Sequence, residues 1–330
     1  MVASIRNLLI NGLISGGMIT NYFCTSSCGH CLYSCSPKRE KDYIESTTLV
    51  ANLKKIKALG CGTIHVGGGE PFLSLKGLQM VVETTLAMGV GIEYVETNSS
   101  WFKDGSSARN ILSSLKERGL STLLISMSPF HNEYIPFFKV KGVIAACQDV
   151  GIHVFPWIMD FYEEIDAFEE TKTHSISEYE ARYGQGYLEG LPSRYWIHFG
   201  GRALQTFAPV LGATSCEKIL SSNRHGCDEL MGVSHFHFDL FGNYIPGLCS
   251  GLAIQRDDLG GMVSDEKYPL LHTLYHKGIG GLFEFVSREH GFSPAPQYMS
   301  KCHLCIDLRR HLFQRGKNRF IELQPEGFYG

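Results

Sequence analysis

The segment Cys24-Thr-Ser-Ser-Cys28-Gly-His-Cys31 places three thiols close together in the chain. Thiolates are soft metal ligands, and a [4Fe–4S] cube takes one outside ligand per iron. Three closely spaced thiolates satisfy three irons and leave the fourth open. An open coordination position is what a catalytic metal site keeps, by the logic of catalytic zinc. Zinc itself is the alternative occupant, with Cys35 as a fourth ligand; otherwise Cys35 reads as a packed or accessory thiol. A second group, Cys216, Cys227, Cys249, Cys302 and Cys305, follows much later. Its last two members form a CxxC beside an expected helix start. The chain has 11 cysteines in 330 residues. Their clustering favours metal or cluster ligation in a reducing compartment over disulfides.

Other elements must aim these groups. Met18–Phe23 reads as a first strand that runs into Cys24. Thr47–Leu59 carries Leu49, Leu53 and Ile56 at helical spacing. Further strands are expected at Thr63–Val66, Gly91–Glu96, Thr122–Met127 and Ile152–Ile158, and helices at Leu75–Met88, Ala108–Arg118 and Val140–Val150. A polar, acidic segment over about 163–190 reads as a surface insertion with helical pieces. Tyr195–Phe199 reads as a sixth strand. The alternation predicts an α/β fold, a partial (β/α)6 barrel of parallel strands over 16–212. Residues 1–15 form an N-terminal extension, with Leu8–Ile14 as a leading helix or strand. Arg6 and that apolar run faintly resemble a signal peptide, but the run is short and broken by Asn11 and Gly12. Residues 213–330 read as a smaller α+β domain, with a hairpin turning at Phe241-Gly242-Asn243 and helices near 266–290 and 304–314.

In parallel barrels the working residues gather at the C-terminal ends of strands. The second strand ends in His65-Val-Gly67-Gly68-Gly69-Glu70-Pro71, where glycines let backbone approach a ligand and Glu70 can accept from an ammonium. The two motifs together, in this order, resemble the CxxxCxxC and GGEP signatures of the radical S-adenosylmethionine (SAM) superfamily. The resemblance implies that Cys24, Cys28 and Cys31 hold a [4Fe–4S] cluster whose open iron binds SAM. It implies that Gly67, Gly68, Gly69 and Glu70 hold the SAM amino group. By position at the next strand ends, it assigns Asn98 and Ser126 to the ribose and carboxylate; ordinary turn capping is the other reading of those two. Adenine contacts are not recognisable in Phe155-Pro156-Trp157-Ile158.

The stretch Asp239-Leu-Phe-Gly242-Asn-Tyr-Ile-Pro-Gly-Leu-Cys249 resembles the hairpin of SPASM and twitch domains. That resemblance implies one auxiliary [4Fe–4S] cluster on Cys227, Cys249, Cys302 and Cys305, with Cys216 competing for the place of Cys227. Structural zinc is the alternative. Substrate residues are sought beyond the later strand ends. His131 could move protons near neutral pH, Asp160 follows the fifth strand, and Arg202 could clamp a carboxylate. His198 shares a strand face with Trp196 and reads as a satisfied structural residue.

The formal net charge is −3 with no long basic run, so a nucleic-acid partner is not expected. No stretch approaches the ~20 apolar residues of a membrane span. A soluble, cytoplasmic enzyme is expected, one that reductively cleaves SAM to a 5′-deoxyadenosyl radical and abstracts hydrogen from a small molecule or peptide. Flavodoxin or ferredoxin would supply electrons. Few residues precede the first strand, which tilts the expectation towards a small molecule or a separately delivered peptide. A peptide maturase forming a thioether or carbon–carbon link is the alternative enzyme. A non-catalytic iron–sulfur or zinc protein is the alternative of another class.

Overall fold

The computed structural model describes residues 7–156, 158–316 and 319–329. Arg6 and Trp157, both named above, lie outside the described residues. The chain begins with β1 (Gly16–Ile19), α1 (Ser46–Ala58), β2 (Thr63–Gly67), α2 (Leu75–Ala87), β3 (Gly91–Thr97), α3 (Gly105–Glu117) and β4 (Thr122–Ile125). It continues with α4 (Pro129–Asn132), α5 (Phe137–Val150), β5 (His153–Pro156), α6 (Asp160–Asp166), α7 (Ile176–Tyr183), α8 (Tyr187–Arg194) and α9 (Ala203–Phe207). The last third holds β6 (Thr214–Ser215), α10 (Cys216–Ser222), β7 (Phe236–Asp239), β8 (Asn243–Ile245), β9 (Ile254–Gln255), α11 (Pro269–His290), β10 (Gln297–Tyr298) and α12 (Lys301–Arg315).

The crossover helices form because their apolar residues recur on one face. In α1 the buried residues include Leu49, Leu53 and Ile56, and in α3 they are Ala108, Leu112 and Leu115. Asp104 caps α3 by accepting from the Ser107 amide at 2.9 Å. Each fully buried leucine contributes roughly 1.5–3 kcal/mol, so these stripes fix the helices to the sheet.

The main sheet has eight strands in the order β5-β4-β3-β2-β1-β7-β8-β9. β1 to β5 run parallel in chain order, and β7 joins the far side of β1, also parallel. β7, β8 and β9 then form an antiparallel meander. The hairpin turn is built by buried Asp239, whose carboxylate accepts from the amides of Phe241 and Asn243, from Asn243 Nδ2 and from Tyr22 Oη. Gly242, at φ 81°, supplies the left-handed turn residue.

Three expected elements differ. Tyr195–Phe199 is not a strand. It leaves α8 through Tyr195, joins neither sheet among the described residues, and walls a cavity instead. The sixth parallel strand is Phe236–Asp239, next to β1. The first strand ends at Ile19, because from Thr20 the chain turns to bond the glycine run of β2. Finally, the described part of Leu8–Ile14 is neither helix nor strand. It is an irregular segment with one bridge, Leu9 to Met262, and with Leu8, Ile10 and Leu13 buried.

Candidate metal centre and cofactor cavity

The loop after β1 is folded by its own backbone. The Cys24 amide donates to Ser36 O, the Cys31 amide to Cys28 O, and the Ser34 amide to Cys31 O. A second segment braces it: the Arg202 amide donates to Cys31 O, and the Arg202 guanidinium donates to Cys28 O and Cys35 O, both at 2.8 Å. Gly201, at φ 53°, permits this approach, since a Cβ there would lie 2.2 Å from Leu32 O. Arg202 is therefore a brace of the cysteine loop, and not the carboxylate clamp expected of it. Its charge still reaches the thiols and favours ionisation of Cys28 and Cys31.

Burial opposes that ionisation, pushing Cys24 up to about 12 and Cys28 well above the ordinary thiol range. Cys31 goes the other way, held below the ordinary thiol range chiefly by its hydrogen bond with Cys35 and then by Arg202. Cys35 is correspondingly raised. Among the described residues every cysteine is free of disulfides.

Cys24, Cys28, Cys31 and Cys35 border a cavity of about 240 Å³. Gly68, Gly69, Glu96, Thr97, Asn98 and Ser126, at or just beyond the ends of β2, β3 and β4, border it too, as does His131 of α4. The glycines have a packing reason. A Cβ on Gly68 or Gly69 would sit 2.5 Å from Asn21 O or 2.0 Å from Phe23 O. Only glycine lets the end of β2 lie against the strand that delivers Cys24. Gly67 meets the side chain of Glu96 in the same way.

Glu70 departs from its expected role. Its carboxylate is fully buried and accepts from the amides of Phe72 and Asn98 and from Thr97 Oγ1, tying the end of β2 to that of β3. In this structure its side chain ties two strand ends together, and its carboxylate is turned towards the amides of Phe72 and Asn98. The carboxylate that does border the cavity is Glu96, raised to about 7 by burial. Sequence reading passed it over, although its place on the face of β3 opposite Thr97 was available.

Asn98 is placed at the cysteines: Nδ2 lies 3.4 Å from Cys24 Sγ and bonds Ser26 Oγ as well. Donors to a ligand sulfur tune a cluster's potential. If these thiols hold an iron–sulfur cluster, Asn98→Ala is expected to leave iron content unchanged while moving that cluster's reduction potential to more negative values, read by anaerobic redox titration. An unmoved potential sinks that assignment. His131 bonds Ser128 Oγ at 2.8 Å and is lowered to about 4 by burial, so it faces the cavity neutral. Asp160 is brought nowhere near: it is exposed at the start of α6 and borders a separate surface hollow with Glu163 and Arg194.

A second cavity of about 400 Å³ adjoins the first, sharing His198, His235 and Leu248 with it. Cys227, Cys249, Cys302 and Cys305 border it, and Cys216 does not. Cys227 is seated by its amide bond to Leu274 O. α11 kinks at Gly278, where a Cβ would lie 2.0 Å from His225 O, so the 225–227 segment can lie against the helix. Cys302 and Cys305 stand on the first turns of α12, capped by Ser300. Buried Arg309, one turn on, donates to Cys305 O, Ser250 O and Tyr329 Oη. Lys301 pairs Glu229, which contacts Cys227 Sγ at 3.0 Å. The two cations oppose the negative charge that four thiolates would bring. Arg309 was not foreseen, though its spacing of four from Cys305 is the signal that could have found it.

No family model matches the chain. The chain is 26% identical over 125 residues to a Bacillus subtilis (strain 168) protein, YydG, whose name assigns it provisionally to peptide biosynthesis. The match covers 37% of this chain and spans 38% of the length of that relative. Among solved structures, native anSMEcpe with bound AdoMet is similar at TM-score 0.45 and 13% identity, over 92% of this chain and 98% of that one. BtrN in complex with AdoMet and 2-DOIA is similar at TM-score 0.45 and 13% identity, over 83% and 91%. Streptococcus suis SuiB bound to the precursor peptide SuiA is similar at TM-score 0.35 and 13% identity, over 83% and 67%.

Proposed function

We propose that the chain is a radical SAM enzyme. Cys24, Cys28 and Cys31 would hold a [4Fe–4S] cluster in the first cavity, and residues from about 213 onward would form a module holding an auxiliary cluster on Cys227, Cys249, Cys302 and Cys305. The observation that carries the reading is the pairing of a three-thiol loop with a cavity edged by the polar ends of three parallel strands.

When bound, such a cluster supplies one electron that splits SAM into methionine and a 5′-deoxyadenosyl radical able to take hydrogen from an unactivated carbon. The protein's part is to orient and exclude. Gly68, Gly69, Asn98 and Ser126 offer backbone and side-chain polar groups to SAM, Arg202 holds the cysteine loop in shape, and Asn98 donates to Cys24. The substrate would enter between the two cavities, past exposed Trp196. It is a small molecule or a peptide, and the partial likeness to YydG favours a peptide. Electrons would come from a flavodoxin- or ferredoxin-type donor. Among the described residues no helix is long and apolar enough to cross a membrane. Reduced, clustered thiols suit the cytoplasm. The test is anaerobic incubation of the iron-loaded chain with SAM and dithionite: 5′-deoxyadenosine is expected, and an iron-loaded chain that forms none overturns the reading.

A further inference from the structure

A cluster of three imidazoles lies on the sheet itself. Gly17 of β1 pairs in register with His65 of β2 on one side and His237 of β7 on the other. The three residues share one row and one face of the sheet. Neighbouring strands stand about 4.8 Å apart, so the two histidines are rooted roughly 9–10 Å from each other. With no side chain on Gly17, both imidazoles lean into the gap until their Nε2 atoms are 3.1 Å apart. A Cβ on Gly17 would lie 2.2 Å from His65 Nε2. His235, just ahead of β7, brings its ring 5.2 Å from that of His237 and 5.7 Å from that of His65 between centroids. One ring nitrogen from each of the three histidines lies within 4.8 Å of the others.

We propose that His65, His235 and His237 bind a divalent transition ion of the zinc class, leaving one coordination position open to the cavity. Zn–N bonds near 2.0–2.1 Å place tetrahedral ligand nitrogens about 3.3 Å apart; His65 and His237 already stand at 3.1 Å, and the His235 nitrogen lies within 4.8 Å of both. The outer partner is present as well: His237 Nδ1 bonds Tyr33 Oη at 2.8 Å, fixing the ring so that Nε2 faces inward. Tyr94 stacks on His65 at 5.2 Å between centroids and holds that ring in plane. His65 and His237 are buried and His235 is half-buried, so the opening lies on the His235 side. Three imidazoles with a free position are the donor set of a Lewis-acid site rather than a structural one.

All three histidines border the cysteine-lined cavity, and His235 also borders the second. On the proposed radical chemistry, the ion would lie between the two clusters, where a substrate carbonyl or carboxylate could take the open position. The binding claim itself rests on the histidine geometry alone.

Cobalt(II) serves as the probe, added anaerobically to the full chain and followed by its visible absorption. Wild type is expected to bind one more Co²⁺ than His235→Ala, and the difference spectrum should lack thiolate charge-transfer bands, since cysteine-bound cobalt cancels between the two. Tyr33→Phe is expected to weaken this site by about 10–100-fold. His235 is the chosen ligand because it sits at the rim; circular dichroism and melting of each variant establish that it folds. Equal cobalt uptake by wild type and a folded His235→Ala overturns the proposal, as does a difference spectrum dominated by thiolate bands. Neither outcome depends on iron loading or SAM cleavage, so failure here and failure of the radical reading are separable.

Discussion

Replacing Cys24, Cys28 and Cys31 together by Ala is expected to halve the iron of the reconstituted chain, from about eight to about four per chain, and to abolish 5′-deoxyadenosine formation. The loss should be total and not graded, because the three thiols stand on one loop and no other group at that cavity is a soft ligand except Cys35. The fold should survive. The loop is shaped mainly by backbone bonds and by Arg202, and the triple variant loses only the long bonds that Cys24 and Cys31 accept from the amides of Ser26 and Cys35 and from Asn98. Iron analysis, the visible absorption of the remaining cluster and chromatography of the nucleoside products read the outcome. Full iron in the triple variant removes the first cluster from this loop. Retained zinc in place of iron in the wild type removes it from the protein.

The double variant Cys302→Ala/Cys305→Ala is expected to lose the second cluster and to loosen the chain after about residue 215. The physical reason is a staple. Cys302 and Cys305 lie on α12, while Cys227 and Cys249 lie on segments packed against α11 and next to the hairpin, far away in sequence. A shared cluster would cross-link them, and metal binding of this kind contributes directly to folding free energy. Without it Arg309 is left buried beside an empty cavity, held only by carbonyls and Tyr329. Limited proteolysis should cut this region faster, with the β1–β5 core protected. Cys216→Ala is the internal control: it borders neither cavity and should leave iron unchanged. A double variant with full iron and an unaltered protease pattern would falsify the staple.

What was readable in advance was local. The cysteine loop, the glycine run and the helices α1, α2, α3 and α5 announce themselves within a few residues, through spacing and periodicity. The hairpin was also legible, since its turn residues are contiguous. What was lost depends on distant partners. Tyr195–Phe199 alternates like a strand, but no neighbouring strand accepts its ladder. Phe236–Asp239 becomes the sixth parallel strand only because β1 is waiting 220 positions earlier (16 to 236). Arg202 looked like a free cation because its carbonyl partners, Cys28 and Cys35, are more than 160 positions away. Asp160 followed the strand-end rule, yet α6 starts there and turns it outward. Glu70 and Glu96 could not be told apart from sequence, because which carboxylate turns inward is decided by the amides of Phe72 and Asn98.

The place of β1 also bears on how the protein is made. This strand lies in the interior of the sheet, yet one of its two neighbours is synthesised last among the parallel strands. During translation β1 can pair with β2 early, but its other edge carries unpaired amides and carbonyls until Phe236–Asp239 has left the ribosome. The cysteine loop emerges directly behind that open edge. Tyr22, next to the loop, gains its Asp239 partner across 217 positions only at the same moment. Completion of the sheet and settling of the loop are thus one late event, and a chain halted short of the hairpin presents an adhesive strand edge beside three reactive thiols. Such a fragment should aggregate through that edge.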